Sequence, residues 1–343
     1  MSSQNITLAL LFTALISAHM YLQGMGGQSE EIFENSSFKA TFQNWKQSMG
    51  RNYKSSSEEF YRLSVFKESF EKIMEHEKLG ESYTLGLTQF ADMSDEEFRQ
   101  TILMKTRDTR HGPNNKVSGQ DKYISGSVNW VEEGAVNPIQ DQGACGSCYT
   151  FATAAATEGV SFLQTSNGLK KLSEQQLVSC SQPYGNDGCD GGFGQYSFQY
   201  VLEKGLMYES LYPYVSGEGK VPDCEVSHGI FYISSFRNAV GRGHCTGIQE
   251  QVSKQPVYGR VAVDVRWKLY TGGIYKGKHC SSNAEDIDHA ITIVGYNTES
   301  AVESQRYWII RNSWGTSWGE QGYMKLEYGN SCSICYESFA PQY

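Results

Sequence analysis

The chain predicts an α+β fold with two lobes behind a helical N-terminal region, and three observations predict it. Apolar residues recur at helical spacing between Phe38 and Met104. A polar stretch from Arg107 to Gly126, rich in Gly, Ser and Asn and containing Pro113, then breaks the pattern. Beyond it come helical segments up to about Pro222, and strand-like runs after that. A helical half followed by a β-rich half packs as two lobes, and clefts between lobes are where ligands bind.

Taken in order, Ile6 to Ala18 is an apolar run too short to span a bilayer. Small residues and Gly follow it, so residues 1–24 read as a signal peptide, although no Lys or Arg precedes the run. A buried N-terminal helix is the alternative. Secretory entry makes Asn35-Ser36-Ser37 a usable glycosylation site. It also fits nine cysteines as a disulfide framework with at least one thiol left over.

In the next segment Phe38, Phe42 and Trp45 form one helical stripe, and Phe60, Leu63, Phe66, Phe70 and Ile73 another. Tyr83 to Asp92 alternates like a strand. Ser94, with Glu97 three residues on, predicts a capping box that opens a further helix. The Arg107–Gly126 stretch is an exposed linker suited to cleavage. Helices are expected over Cys148–Gln164, Ser173–Cys180 and Gly194–Glu203. Strands are expected over Gly229–Phe236, Val257–Val265, Ala290–Tyr296, Tyr307–Asn312 and Gly322–Leu326.

The chemistry concentrates at Gln142–Ala156. Gly143, Gly146 and Ser147 allow a tight turn into a helix, with Ser147 as the expected N-cap. Cys148 then sits in the first turn, where orphan N–H groups and the helix dipole favour a thiolate. Cys145-x-x-Cys148 also fits a redox pair, or half of a zinc site with Cys332-x-x-Cys335, or a structural disulfide half. A nucleophilic Cys148 needs a base and a residue to orient it. His289 and Asn312 are the candidates, with Gln142 placed to donate to a developing oxyanion. A histidine entering an apolar strand also fits a plain core residue. The net charge of −9 and the lack of a Lys/Arg cluster exclude nucleic acid as an expected partner.

QGACGSCYTFA, GCDGG at 188–192, DHAITIVGY at 288–296 and NSWGTSWGEQGY at 312–323 together resemble the papain-like cysteine peptidases. Upstream, Glu58, Arg62, Phe66 and Ile73 keep four positions of the cathepsin L-like propeptide helix motif, whose two Asn positions hold Ser69 and Glu77. Gly86, Phe90 and Asp92 fit the motif that follows, with Thr88 in place of Asn. The resemblance implies an inhibitory propeptide at 28–120 and a peptidase domain at 121–343, with a helical left lobe and a β-barrel-like right lobe.

It further implies an endopeptidase zymogen in which Cys148 is the nucleophile, paired as thiolate with imidazolium His289. Asn312 would orient His289, Trp314 would shield the pair, and Gln142 with the Cys148 N–H would form the oxyanion hole. Asp288 would play a supporting part, and Tyr149 stands where many members have Trp. Gly191 and Gly192 would pair with an extended peptide. Phe193, Gly194, Ala262, Ile287, Ala290 and Glu337 would line the pocket for the second residue before the cut (P2), taking bulky apolar residues and, through Glu337, Arg. The implied disulfides are Cys145–Cys189, Cys180–Cys224 and Cys280–Cys332, with Cys245 and Cys335 either bridged or free.

The implied partners are protein and peptide substrates, the chain's own propeptide and cystatin-type inhibitors, for a monomer with no cofactor or metal. No membrane span would remain after signal cleavage, and the destination would be lysosomal, vacuolar or extracellular. A catalytically dead binding relative and a disulfide-rich structural protein are the rival readings. The former conflicts with the intact Cys148, His289, Asn312 and Gln142.

Overall fold

The structure is a computed structural model that describes residues 27–105, 124–165, 168–239 and 245–343. The signal segment, most of the cleavage linker and the side chain of Asn35 lie outside the described residues.

Three helices build the N-terminal domain: α1 (Gly27–Ser48), α2 (Ser56–Glu77) and α3 (Asp95–Thr101). The Ser55 hydroxyl accepts from the Glu58 N–H to cap α2. Ser94 and Glu97 form the expected capping box of α3. Phe42, Trp45, Phe66 and Ile73 are buried, whereas Phe60 is 75% exposed and drops out of its predicted stripe. Only Tyr83–Leu85 of the Tyr83–Asp92 run is a strand (β1).

The helical lobe carries α4 (Cys148–Gln164), α5 (Glu174–Cys180) and α6 (Gly194–Lys204). Helix α4 is its axis. Buried Cys148, Tyr149, Ala152, Ala154 and Ala156 pack in one apolar cluster with Leu177, Phe198 and Val201. Ser147 does not cap it: its hydroxyl instead donates to the Tyr214 hydroxyl (2.8 Å), which donates to the Gln142 carbonyl (2.7 Å).

The remaining elements are β2 (Ser127–Asn129), β3 (Ser235–Asn238), α7 (Thr246–Val252), β4 (Val257–Val261), β5 (Tyr270–Tyr275), β6 (His289–Asn297), β7 (Tyr307–Arg311), β8 (Tyr323–Glu327) and β9 (Ser338–Gln342). One nine-stranded sheet runs β1-β5-β8-β7-β6-β4-β9-β3, with β2 paired to β6. The expected barrel-like lobe is therefore an open sheet. At one end β1 of the N-terminal domain pairs antiparallel with β5, Tyr83 opposite Gly273. The core crosses the same boundary, since Phe90 and Phe98 pack edge-on against Trp314 at 5.6 and 5.3 Å. Such aromatic pairs each add about 0.5–1.5 kcal/mol beyond area burial.

Among the described residues four disulfides form: Cys145–Cys189, Cys180–Cys224, Cys280–Cys332 and the open question, Cys245–Cys335. Cys148 is the free cysteine among them.

Candidate active site

Cys148 opens α4 at the floor of the contact between the lobes, and His289 opens β6 across from it. Gly146 makes the turn into α4 because nothing larger fits. A Cβ there would lie 2.6 Å from the Cys189 carbonyl oxygen. Cys145–Cys189 fixes that turn to the GCDGG loop.

The Cys148 sulfur accepts from the Ala290 N–H at 3.3 Å. His289 Nε2–H donates to Asn312 Oδ1 at 2.8 Å, which also accepts from the Ser313 N–H. That bond fixes the tautomer, so Nδ1 is the ring's basic atom, and it has no hydrogen-bond partner among the described residues. Trp314 lies against the ring, with centroids 4.7 Å apart. Gln142 is held by the Ser313 hydroxyl, which donates to Oε1 at 2.7 Å.

The N-terminal domain fills this site. Gln142 Nε2 donates to the Ile102 carbonyl at 2.7 Å and to the Cys145 carbonyl at 2.8 Å. The Met104 N–H donates to the Asp288 carbonyl at 2.8 Å, and the Lys105 N–H to the Asp190 carbonyl at 2.9 Å. Lys105 also pairs with the Asp190 carboxylate at 2.5 Å. Met104 is buried in the same cluster as Cys148, Tyr258 and Ala290. The segment Ile102–Lys105 thus lies along the floor that a peptide would use.

This covering sets the electrostatics. Burial pushes the Cys148 thiol up to about 12, against the opposing Ala290 N–H and the Arg260 charge. Burial lowers His289 to about 4 although Asn312 favours its charged form. Burial thus disfavours the charged form of both groups in the covered site.

The predicted pocket residues converge, with one revision. Gly191 takes φ +128°, which suits glycine. Asn186, unremarked in the sequence, accepts from the Phe193 N–H at 2.8 Å and so sets this loop. Gly194 admits Tyr258, since a Cβ would lie 2.6 Å from its ring. Asp288 accepts from the Val263 N–H at 2.9 Å and faces Arg99 at 3.5 Å. Ala262 packs in a small group with Ala284 and Ile287. Glu337 is not open to a substrate Arg as expected: Arg260 of β4 donates to its carboxylate at 2.8 Å, and both are buried. Among the described residues no cluster of three or more His, Cys, Asp or Glu is arranged to hold a metal ion.

The papain family cysteine protease model matches residues 124–342, and the cathepsin propeptide inhibitor domain model matches 42–98. The chain is 35% identical over 315 residues to the thiol protease aleurain of Arabidopsis thaliana, covering 89% of this chain and 84% of that protein. It is 32% identical over 314 residues to pro-cathepsin H of Mus musculus, covering 90% and 92%. Digestive procathepsin L 3 of Tenebrio molitor larval midgut superposes with a TM-score of 0.77 at 34% identity, covering 89% of this chain and 99% of that one.

Proposed function

The chain belongs to the papain family of cysteine proteases and is made as a proenzyme, and from that premise we propose an endopeptidase in which Cys148 attacks the peptide carbonyl. The observation that carries this reading is the oriented His289–Asn312 pair facing the site of a helix-N-terminal thiol.

With the propeptide gone, water reaches both groups. The desolvation that disfavours the charged forms of Cys148 and His289 is relieved, and the proton moves from sulfur to Nδ1. The thiolate adds to the carbonyl carbon. Oxyanion charge falls on the Gln142 Nε2–H and the Cys148 N–H. Imidazolium His289 gives its proton to the leaving amine, and an acyl-enzyme remains. Water activated by the now neutral His289 releases the acid. Asn312 keeps Nε2 occupied throughout, so Nδ1 alone exchanges protons. In the proenzyme the Ile102 carbonyl takes the Gln142 Nε2–H that the oxyanion would use, and removal of the propeptide frees it.

Endopeptidase mode is supported by the short span between Cys180 and Cys189, which leaves no room for an occluding loop. The P2 expectation of bulky apolar residues and Arg is narrowed by Arg260, which takes the Glu337 carboxylate, and an apolar preference is what the lining supports. The N-terminal apolar run and the disulfides support a secretory route to a lysosomal, vacuolar or extracellular destination. Labelling of processed protein by a thiol-reactive epoxide of the E-64 type, abolished in Cys148→Ser, tests the assignment. Absence of labelling and of peptide hydrolysis would overturn it.

A further inference from the structure

Side chains alternate along β4, so Tyr258 and Arg260 share one face. That face is turned toward the cleft. Tyr258 lies in the cluster with Cys148, Met104 and Ala290, and Arg260 stands opposite Ala290 in the β4–β6 register. Arg260 is wholly buried. The residues that hold it are those expected to line the P2 pocket. Nη1 donates to Glu337 Oε2 at 2.8 Å, Nη2 donates to the Ile287 carbonyl at 3.3 Å, and the guanidinium carbon stands 4.8 Å over the Phe193 ring.

A buried guanidinium needs a carboxylate and further acceptors, or its desolvation dominates. Here the carboxylate and the aromatic face come from the pocket itself, so Arg260 occupies space that a substrate side chain would otherwise enter. We propose that Arg260 is the specificity-determining residue of this pocket: the Arg260–Glu337 pair is a neutral plug in its floor. The pocket then takes compact apolar P2 residues such as Val or Leu and turns away Phe, Arg and acidic residues. This rests on the cysteine-protease reading of the site and deepens it. A substrate Arg meets a like charge, and a substrate Glu would have to displace Glu337. Each half of the plug also hides a receptor. Without Glu337, Arg260 becomes a partner for an acidic P2 residue; without Arg260, Glu337 becomes one for Arg.

The test starts from the full-length zymogen and its variants, processed and counted by E-64-type epoxide titration. kcat/KM is then read on dipeptidyl reporters with Arg before the fluorophore and Val, Leu, Phe, Arg or Glu at P2. Wild type should favour Val and Leu over the other three by about tenfold or more, the scale of a pocket misfit. Glu337→Gln should raise the Glu-to-Leu ratio about tenfold, and Arg260→Gln the Arg-to-Leu ratio likewise. The double variant Arg260→Val with Glu337→Leu, which strands no charge, should raise the Phe-to-Leu ratio. Should either single variant fail to fold, the wild-type profile and the double variant decide. Wild-type cleavage of Phe or Arg reporters on a par with Leu, or ratios unmoved by the variants, would overturn the role of Arg260 while leaving a labelled, active peptidase. Unlabelled protein inert on every reporter would instead remove the protease reading on which the inference stands.

Discussion

The side-chain amide of Gln142 donates to the backbone carbonyl of Ile102 at 2.7 Å, so the residue proposed to bind an oxyanion is occupied by the propeptide. The same cover buries Cys148 and His289, so latency here has an electrostatic part as well as a steric one. The thiolate–imidazolium pair has no solvent to support its charges.

Thiol titration should therefore track processing. In the zymogen, alkylation of Cys148 by iodoacetamide should stay slow up to pH 9, because burial holds the thiol at about 12. After processing it should be fast at pH 6. Stopped alkylation at timed intervals, read by mass, measures both; equal rates before and after processing would contradict the burial account.

Cys148→Ser should lower peptide hydrolysis by about 10⁴-fold or more, and His289→Ala by a similar factor, because nucleophile and base act as a unit. Both should leave a folded, unprocessed precursor. Reporter hydrolysis at wild-type rates by either one is the contrary result.

Acid should loosen the propeptide, and the anchor to test is Asp95. Asp92 accepts from the Tyr53 hydroxyl within the propeptide, whereas Asp95 reaches across to Lys268 at 2.6 Å and also to Lys72 at 2.8 Å. Burial raises the Asp95 carboxyl, but its bonds to Lys268 and Lys72 outweigh this and the net shift is downward. For Glu97, burial is likewise outweighed, by the Ser94 N–H and Arg62. A depressed carboxylate stabilises the docked state fully above its free pKa, about 4, and the stabilisation is lost as pH falls through the lower docked value. Release should accordingly sharpen below about pH 4. Asp95→Asn leaves the buried Lys268 with the Met93 carbonyl but no counter-charge, and should shift half-processing to higher pH, read by gel from a pH series. An unshifted midpoint would exclude this anchor.

Replacing Cys245 and Cys335 together by Ala should cost about 2–4 kcal/mol of stability, since the bridge spans 90 residues. Cys148 should still label. Denaturant midpoints of the two processed proteins give the comparison, and coincident midpoints would show that the bridge contributes nothing.

Cys148, His289, Asn312 and Gln142 stood out because each sits in a local motif, whereas the expectation that they act together came from the family resemblance. Helix α4 has the span its Ala-rich pattern predicts. Other features depend on distant partners. Ser147 turns to Tyr214, 67 residues on, and so leaves its helix uncapped. Of Gly229–Phe236 only the end becomes strand, as Ser235–Asn238, because that is where β9 pairs with it. Strands β5 and β9 were missed: Gly272 and Gly273 weaken the first as a strand pattern, and Pro341 the second. Arg260 was hidden for a subtler reason. Which residue of Tyr258–Ala262 faces the pocket is fixed by the register of β4 against β6, and composition carries no trace of that register.

The seam between β1 and β5 outlives its purpose. Gly273 sits at φ +83° with the Ser82 carbonyl where a side chain would start, the Gly86 N–H donates to the Leu269 carbonyl, and the Ile274 N–H donates to the Ser82 carbonyl. Excision of the propeptide takes all of these partners at once and leaves Tyr270–Gly273 as a bare margin with two glycines offering no steric guard. An exposed strand margin of this kind is a place where a further strand can pair, and in the uncut chain β1 already fills it.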